Sequence, residues 1–132
     1  MRKTALALVG VLLMLGAGCD RPPTLIKVRG QVTLNGQPLR SGTVVFAPDE
    51  ERGVHGPLSY AVLDETGGFE LTTDNGPGAV AGWHRVTVAP PPESADLIVG
   101  LERYRNPDLS GLRYEVKAGQ ENNFTIALTW DQ

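Results

Sequence analysis

Cysteine is almost absent from this chain of 132 residues, because Cys19 is the single one. One thiol excludes an intrachain disulfide and a metal site built on cysteine ligands. The sequence also lacks a basic excess, since 12 Lys and Arg stand against 15 Asp and Glu. A nucleic-acid-binding surface needs clustered positive charge. We therefore expect no nucleic-acid partner.

The sequence has no apolar run long enough for a transmembrane helix. The uncharged run at residues 5–15 is about half of the ~20 residues that span a bilayer. Arg2 and Lys3 precede this run, and the small residues Gly16, Ala17 and Gly18 follow it. A positive start, a short apolar middle and a small-residue end are typical of a secretory signal peptide. We predict a signal peptide over residues 1–18 and an exported protein.

Cys19 stands where a bacterial lipoprotein signal is cut and acylated. Residues 17–19, Ala-Gly-Cys, resemble the end of a lipobox, although Gly16 occupies a position where that motif prefers leucine. We predict lipidation at Cys19, which would anchor the chain to the cell membrane or outer membrane, facing the periplasm or the exterior. Two or more acyl chains give stable anchoring. The alternative is an ordinary secreted protein, cut near Ala17, with an incidental thiol.

The remainder of the chain reads as a short tether and one β domain. Residues 19–24, which include Pro22 and Pro23, form a stiff lipidated tether. Residues 25–132 are enough for one domain. In residues 26–34, apolar side chains alternate with polar ones, which indicates a half-buried strand. Asn35 and Gly36 then favour a chain reversal, because both tolerate positive φ.

The same alternation recurs to the end of the chain, with glycine- and proline-rich turns between the apolar runs. These patterns predict an all-β fold, an antiparallel β-sandwich of about seven strands in two sheets. A short helix is predicted at residues 95–103. The predicted strands cover residues 26–34, 43–47, 59–63, 69–72, 83–89, 112–116 and 123–129.

No catalytic or metal-binding motif is recognisable. The serines lack a Gly-x-Ser-x-Gly context, and no phosphate-binding glycine loop occurs. His84 lies on the apolar face of its predicted strand, which indicates a hydrogen-bonded core histidine, whereas His55 falls in a loop. Residues 49–53 predict a solvated acidic loop. Calcium held by Asp49 and its neighbours with Asp64 or Asp74 is the alternative, but the usual alternation of calcium ligands is missing. We expect no catalytic residue, no metal and no cofactor.

Two tryptophans are the candidate contact residues for a ligand or partner. Trp83 points to the face opposite Val86 and Val88, and Trp130 follows the last predicted strand. An exposed tryptophan anchors many glycan and protein contacts. Ordinary packing of both side chains is the alternative.

Several segments, taken in order, resemble a known family. They are VRGQVTLNGQPLRSGTVVFAP, DETGGFELTT, GWHRVTV, YRNPDLSGLRYEVKAG and NNFTIAL. Together they resemble the small planctomycete-type lipoproteins with a transthyretin-like, carboxypeptidase-regulatory-like domain. The resemblance implies a prealbumin-like sandwich, exported and lipid-anchored, with no catalytic residues to carry over.

On this basis the sequence predicts a non-enzymatic binding or assembly module of the cell envelope, with an envelope protein or a glycan as partner. A carbohydrate-binding module is the first alternative. The transthyretin-related hydrolase of the purine pathway is the second. Resemblance to that enzyme would imply a site built on His, Arg and Ser and closed by a Tyr-Arg-Gly-Ser tail. This chain instead ends Thr129-Trp130-Asp131-Gln132.

Overall fold

The computed structural model of the protein describes residues 22–130. The predicted signal peptide and Cys19 lie outside these residues. The described part contains ten strands, one α-helix and two 3₁₀ helices, the first of them at Glu50–Arg52. Most of the longer strands coincide with the apolar alternations of the sequence. The strands are Val28–Leu34 (β1), Gln37–Pro38 (β2), Thr43–Pro48 (β3), Ser59–Val62 (β4), Gly68–Glu70 (β5), Thr72–Thr73 (β6), Gly76–Pro77 (β7), Gly82–Ala89 (β8), Leu112–Val116 (β9) and Asn122–Leu128 (β10).

The strands form two sheets that pack as a sandwich, so the predicted all-β sandwich is confirmed. The larger sheet has the order β7-β6-β4-β3-β8-β9, and all its pairs are antiparallel. In the smaller sheet, β1 lies between β10 on one side and β2 and β5 on the other. The chain from β5 to β6 crosses from the smaller sheet to the larger one. The other side of the sandwich lies between the edge strands β9 and β10.

Two features differ from the prediction of seven antiparallel strands. The predicted strand at residues 69–72 is divided between the two sheets, and β2 and β7 are short additional strands. The pair β1 and β10 runs parallel along its whole length, from Val28 opposite Asn122 to Leu34 opposite Leu128. Alternation in a sequence defines which face of a strand is buried and carries no information on strand direction.

The core lies between the two sheets and takes the predicted apolar faces. Val28 and Val32 of β1, Ile126 of β10, and Val86 and Val88 of β8 are fully buried. Phe46 is central to an aromatic cluster, with ring centroids 5.8 to 6.2 Å from those of four surrounding rings. Those four rings belong to Phe69, His84, Tyr114 and Phe124.

Gly30 lies on the inner side of β1, opposite Phe69 on one neighbouring strand and Phe124 on the other. A Cβ at this position would overlap the Phe124 carbonyl oxygen and lie 2.6 Å from Cζ of Phe69. The strand therefore requires glycine here because the aromatic cluster fills the space that a side chain would use.

The crossover between β8 and β9 carries the helical segments of the domain. The helix Ala95–Gly100 (α1) is followed by a 3₁₀ helix at Glu102–Arg105, close to the predicted helix at residues 95–103. Leu101 and Tyr104 of this crossover are buried in the core. The Tyr104 hydroxyl accepts a hydrogen bond of 3.0 Å from the amide of Thr129. The crossover is thus fixed to the end of β10. No helix in residues 22–130 is long and apolar enough to cross a bilayer.

The chain reversal predicted at Asn35 and Gly36 is also confirmed. Asn35 and Gly36 have φ of 49° and 81° and reverse the chain between β1 and β2. Asp64 Oδ1 accepts hydrogen bonds from the hydroxyl of Thr66 and from the amides of Thr66 and Gly68, at 2.7 to 2.8 Å. These bonds lower the pKa of Asp64 below its ordinary value, because they favour the charged carboxylate.

Candidate functional site

Trp83 lies near the start of β8 on the outer face of the larger sheet, opposite Glu115 of β9. The guanidinium carbon of Arg52 stands 4.5 Å from the centroid of the indole ring, a cation–π contact that covers part of it. Trp83 also borders a shallow pocket of about 380 Å³, which we call the Trp83 pocket. Its other lining residues include Arg113, Glu115, Lys117, Gln120 and Asn123.

Trp130 has a different setting. Its ring packs against α1 so closely that a Cβ at Gly100 would overlap it. Its backbone amide donates to the Asn35 side-chain oxygen, and its carbonyl accepts from the Asn35 side-chain nitrogen, both at 3.0 Å. α1 follows the end of β8, whereas Trp83 lies near the start of that strand. The structure therefore does not bring the two tryptophans together on one surface, and their role as contact residues stays a prediction.

His84 is buried and hydrogen-bonded in the core, as the sequence indicates. Its Nδ1 lies 2.9 Å from the carbonyl oxygen of Gly82, which can only accept, so Nδ1 carries the proton. Nε2 has no hydrogen-bond partner among the described residues. Burial lowers the pKa of His84, and the hydrogen bond to Gly82 opposes this only in part. His84 is therefore neutral at pH 7. His55, in contrast, is exposed in its loop.

Asp49 departs from the predicted solvated loop, because its side chain is only 1% exposed. Three guanidinium groups surround its carboxylate. Nε of Arg85 lies 3.5 Å from Oδ1, while Nε of Arg52 and Nη1 of Arg113 lie 3.6 and 4.0 Å from Oδ2. A carboxylate can be buried here because opposite charges lie against it.

Arg85 is the centre of this ionic cluster, which we define as Asp49, Glu51, Arg52, Arg85, Asp108 and Arg113. It stands directly opposite Arg113 across the β8–β9 ladder, and adjacent like charges repel each other. Its Nη2 lies 2.7 Å from a Glu51 oxygen, and its Nη1 donates to Asp108 at 2.8 Å. Three carboxylates thus balance three guanidinium groups. The cluster fastens two loops to the sheet, and its arginines are already engaged by the protein's own carboxylates.

The ionic cluster was not predicted from the sequence, because its members lie far apart in the chain. The available signal was weak: an aspartate directly after a buried strand, and outward arginines at corresponding positions of two strands that turn out to be neighbours. Among the described residues, no group of three or more His, Cys, Asp or Glu side chains is placed to hold a metal ion. Asp49 faces arginines, so the calcium alternative has no support at this loop.

β10 is a free edge of the smaller sheet. β1 pairs with one side of it, and no other strand of the described chain pairs with the opposite side. Its sequence, Asn-Asn-Phe-Thr-Ile-Ala-Leu, contains no charge, proline or glycine. β9, the neighbouring edge of the larger sheet, carries Arg113 and Glu115. Natural edge strands are usually short, charged or interrupted to prevent pairing with other chains. By these criteria the β10 edge is unprotected.

β4 exposes large apolar side chains on the outer face of the larger sheet. Leu58, just before this strand, is 55% exposed, Tyr60 is 38% exposed and Val62 is 76% exposed. Ser59, Ala61 and Leu63 point inward instead and are buried. We call the three outward residues the β4 stripe.

We compared the chain with protein-family models, curated proteins and solved structures, and none of the three comparisons gave a match. Three surfaces of the described residues are available to bind a ligand or partner. These are the Trp83 pocket, the β10 edge and the β4 stripe.

Proposed function

We propose that this protein is an exported, lipid-anchored β-sandwich that acts as a non-enzymatic binding and assembly module of the cell envelope. The signal-like residues 1–18 and Cys19 support the export and the anchor. The ordered motifs support membership of the transthyretin-like, carboxypeptidase-regulatory-like lipoproteins. The two-sheet sandwich agrees with what that resemblance implies about the fold.

The β10 edge is the observation that carries the binding role. A free strand presents backbone N–H and C=O groups that another extended chain can pair with. At seven residues, β10 is as long as β1, the strand that it already pairs with. The partner is an envelope protein that adds a strand here, and main-chain hydrogen bonds would supply much of the affinity.

Paired lysine substitutions test this role. Ala127 on the β10 edge stands opposite Thr33 of β1, and Thr33 is paired on both sides. Both positions are on the outer face, but only Ala127 belongs to a free edge. A lysine on an edge strand disfavours pairing with another chain. Ala127→Lys should therefore lose the partner that co-purifies from native membranes, whereas Thr33→Lys should keep it.

Cys19→Ser tests the anchor in the same preparation. The substituted chain should leave the membrane fraction, and the partner should drop out of the membrane-derived complex. If Ala127→Lys and Thr33→Lys capture the same partner equally, strand pairing at β10 is wrong. If Cys19→Ser fractionates like the wild type, the lipid anchor is wrong.

A glycan-binding role is the second candidate, and the Trp83 pocket is the observation that favours it. The pocket combines part of an indole ring with charged and amide side chains, which is the composition of many sugar sites. Trp83→Ala should abolish retention on an immobilised envelope glycan, while Trp130→Phe should not change it. Equal retention of both variants, or no retention by the wild type, would exclude this role.

A further inference from the structure

The β4 stripe places three apolar side chains in a row on solvent-facing backbone. Leu58, Tyr60 and Val62 alternate with buried residues, so they project from the same face at intervals of about 7 Å. The Tyr60 hydroxyl donates a 2.9 Å hydrogen bond to Asp74. Tyrosine with an apolar ring and a bonded polar tip suits a boundary between water and lipid.

The start of the described chain lies beside the same part of the sheet. Ile26 exchanges backbone hydrogen bonds of 2.8 and 2.9 Å with Ala79, just after β7. A Cβ at Gly76 in β7 would lie 4.0 Å from Leu25 Cδ1. β7 is the edge strand of the larger sheet, and β6 separates it from β4. At ~4.8 Å per strand, β4 is about 10 Å from the place where the tether joins the domain.

The tether is too short to carry the domain far from its anchor. Six residues lead from Cys19 to Leu25, and a fully extended chain spans at most ~3.5 Å per residue. An acyl group on Cys19 therefore holds β7 within about 20 Å of the lipid surface. The β4 stripe is two strands from β7, so this tether length allows the stripe to reach the membrane.

The geometry points to the β4 stripe as a membrane-contact face, which lies against the headgroup region of the bilayer and orients the anchored domain. This inference rests on the proposed lipid anchor at Cys19. Carboxylates lie beside all three side chains: Glu50 and Glu51 near Leu58, Asp74 at Tyr60, and Asp64 and Glu70 near Val62. The contact would therefore depend on the apolar side chains and not on attraction to anionic lipid. Removal of residues 1–18 takes away Arg2 and Lys3 and no acid, which changes the formal charge from −3 to −5. The surface that it fits is zwitterionic lipid.

With β4 against the lipid, β8 and β9 would lie in the part of the larger sheet that is farthest from the tether. They are the strands farthest from β7 in the order of the larger sheet. The β4 stripe and the β10 edge would then serve different partners, lipid and protein respectively. Two large apolar residues of the β8–β9 crossover, Val99 and Leu109, provide matched controls, since they are 75% and 66% exposed.

The test uses the full chain, expressed in a bacterium that processes lipoproteins, purified, and reconstituted into phosphatidylcholine vesicles. Val62→Cys and Leu109→Cys are labelled with an environment-sensitive fluorophore; when Cys19 is acylated, the introduced thiol is the only free one. Nitroxide-labelled phosphatidylcholine is then added to the vesicles. The inference predicts a blue-shifted emission at position 62 that nitroxide lipid quenches, and neither effect at position 109.

The outcomes separate the two proposals. If intact mass shows an acylated Cys19 but positions 62 and 109 are quenched alike or not at all, the membrane-contact face is wrong and the anchor stands. If the mass shows no acyl group, the anchor is wrong and the membrane-contact face fails with it. Quenching at position 62 that disappears in the Leu58→Ser background would assign the contact to the β4 stripe as a whole.

Discussion

At the scale of single residues, the two most informative side chains are buried and ionisable. Asp49 is charged and compensated by arginines, and His84 is neutral and packed against Phe46. Asp49 belongs to the ionic cluster on the outer face of the larger sheet, and His84 belongs to the aromatic cluster around Phe46 on its inner face. Their energetic roles differ, and each leads to a separate prediction.

Asp49→Asn should destabilise the fold by roughly 1–3 kcal/mol, because the mostly buried Arg85 loses its buried counter-charge and keeps only the exposed carboxylates of Glu51 and Asp108. Glu51→Gln is the matched control. It also removes a carboxylate from Arg85, but Glu51 is 79% exposed, and exposed pairs contribute only ~0–1 kcal/mol. Urea unfolding of the two variants measures the difference. Equal losses would mean that the cluster acts as a set of ordinary surface ion pairs.

His84 should make stability depend on pH in the weakly acidic range. Burial lowers its folded pKa below the ordinary 6.5, so below that pH the unfolded chain binds a proton that the folded chain does not. Stability is then complete above pH 6.5 and falls as the pH decreases toward the folded pKa. As the pH decreases below 6.5, the melting temperature of the wild type should fall, and that of His84→Leu should fall less.

His55→Gln provides the control for this pH dependence, because His55 is the other histidine of the chain and is exposed. Its profile should follow that of the wild type. An unchanged slope in His84→Leu, or a flattened slope in His55→Gln, would contradict the assignment of the effect to the buried ring.

At the scale of elements, β1 is the strand on which the smaller sheet depends, and Gly30 is its most constrained position. Gly30→Ala should cost about 1–3 kcal/mol, since the added methyl overlaps backbone and an aromatic ring in a packed core. Gly119→Ala should cost only about 1 kcal/mol. Its φ of 77° disfavours alanine, but a Cβ there would meet no atom within 4 Å. Chemical denaturation of both variants tests this order, and a larger loss for Gly119→Ala would refute it.

The elements also show which structural information the sequence carried. Alternation located β1, β3, β8, β9 and β10 within about two residues, because the two faces of each strand differ in polarity. β4 is different, since both of its faces contain apolar side chains. A rule that buries the larger residues would turn Leu58, Tyr60 and Val62 inward, whereas the structure buries Ser59, Ala61 and Leu63. The parallel direction of β10 relative to β1 depends on how the strands pair, and no local pattern in the sequence encodes that pairing.

At the scale of the whole molecule, the arrangement of the two sheets leaves three surfaces for contacts, which are the Trp83 pocket, the β10 edge and the β4 stripe. The crossover from residue 95 to residue 110 packs onto the core between β8 and the end of β10. The β5–β6 segment closes one side of the sandwich by joining both sheets. Among the described residues no strand pairs with the outer side of β10, and the tether joins the domain beside β7. A domain of this shape, anchored at Cys19, would present the β10 edge to neighbouring envelope proteins.

Site-specific photo-crosslinking in intact membranes tests this central claim most directly. A photoreactive amino acid is placed at Ala127 on the β10 edge or at Thr33 on the adjacent paired strand. The account predicts one discrete protein adduct from position 127 and a much weaker one from position 33. Adducts of equal yield from both positions, or no adduct from position 127 while the protein remains folded and in the membrane, would contradict it.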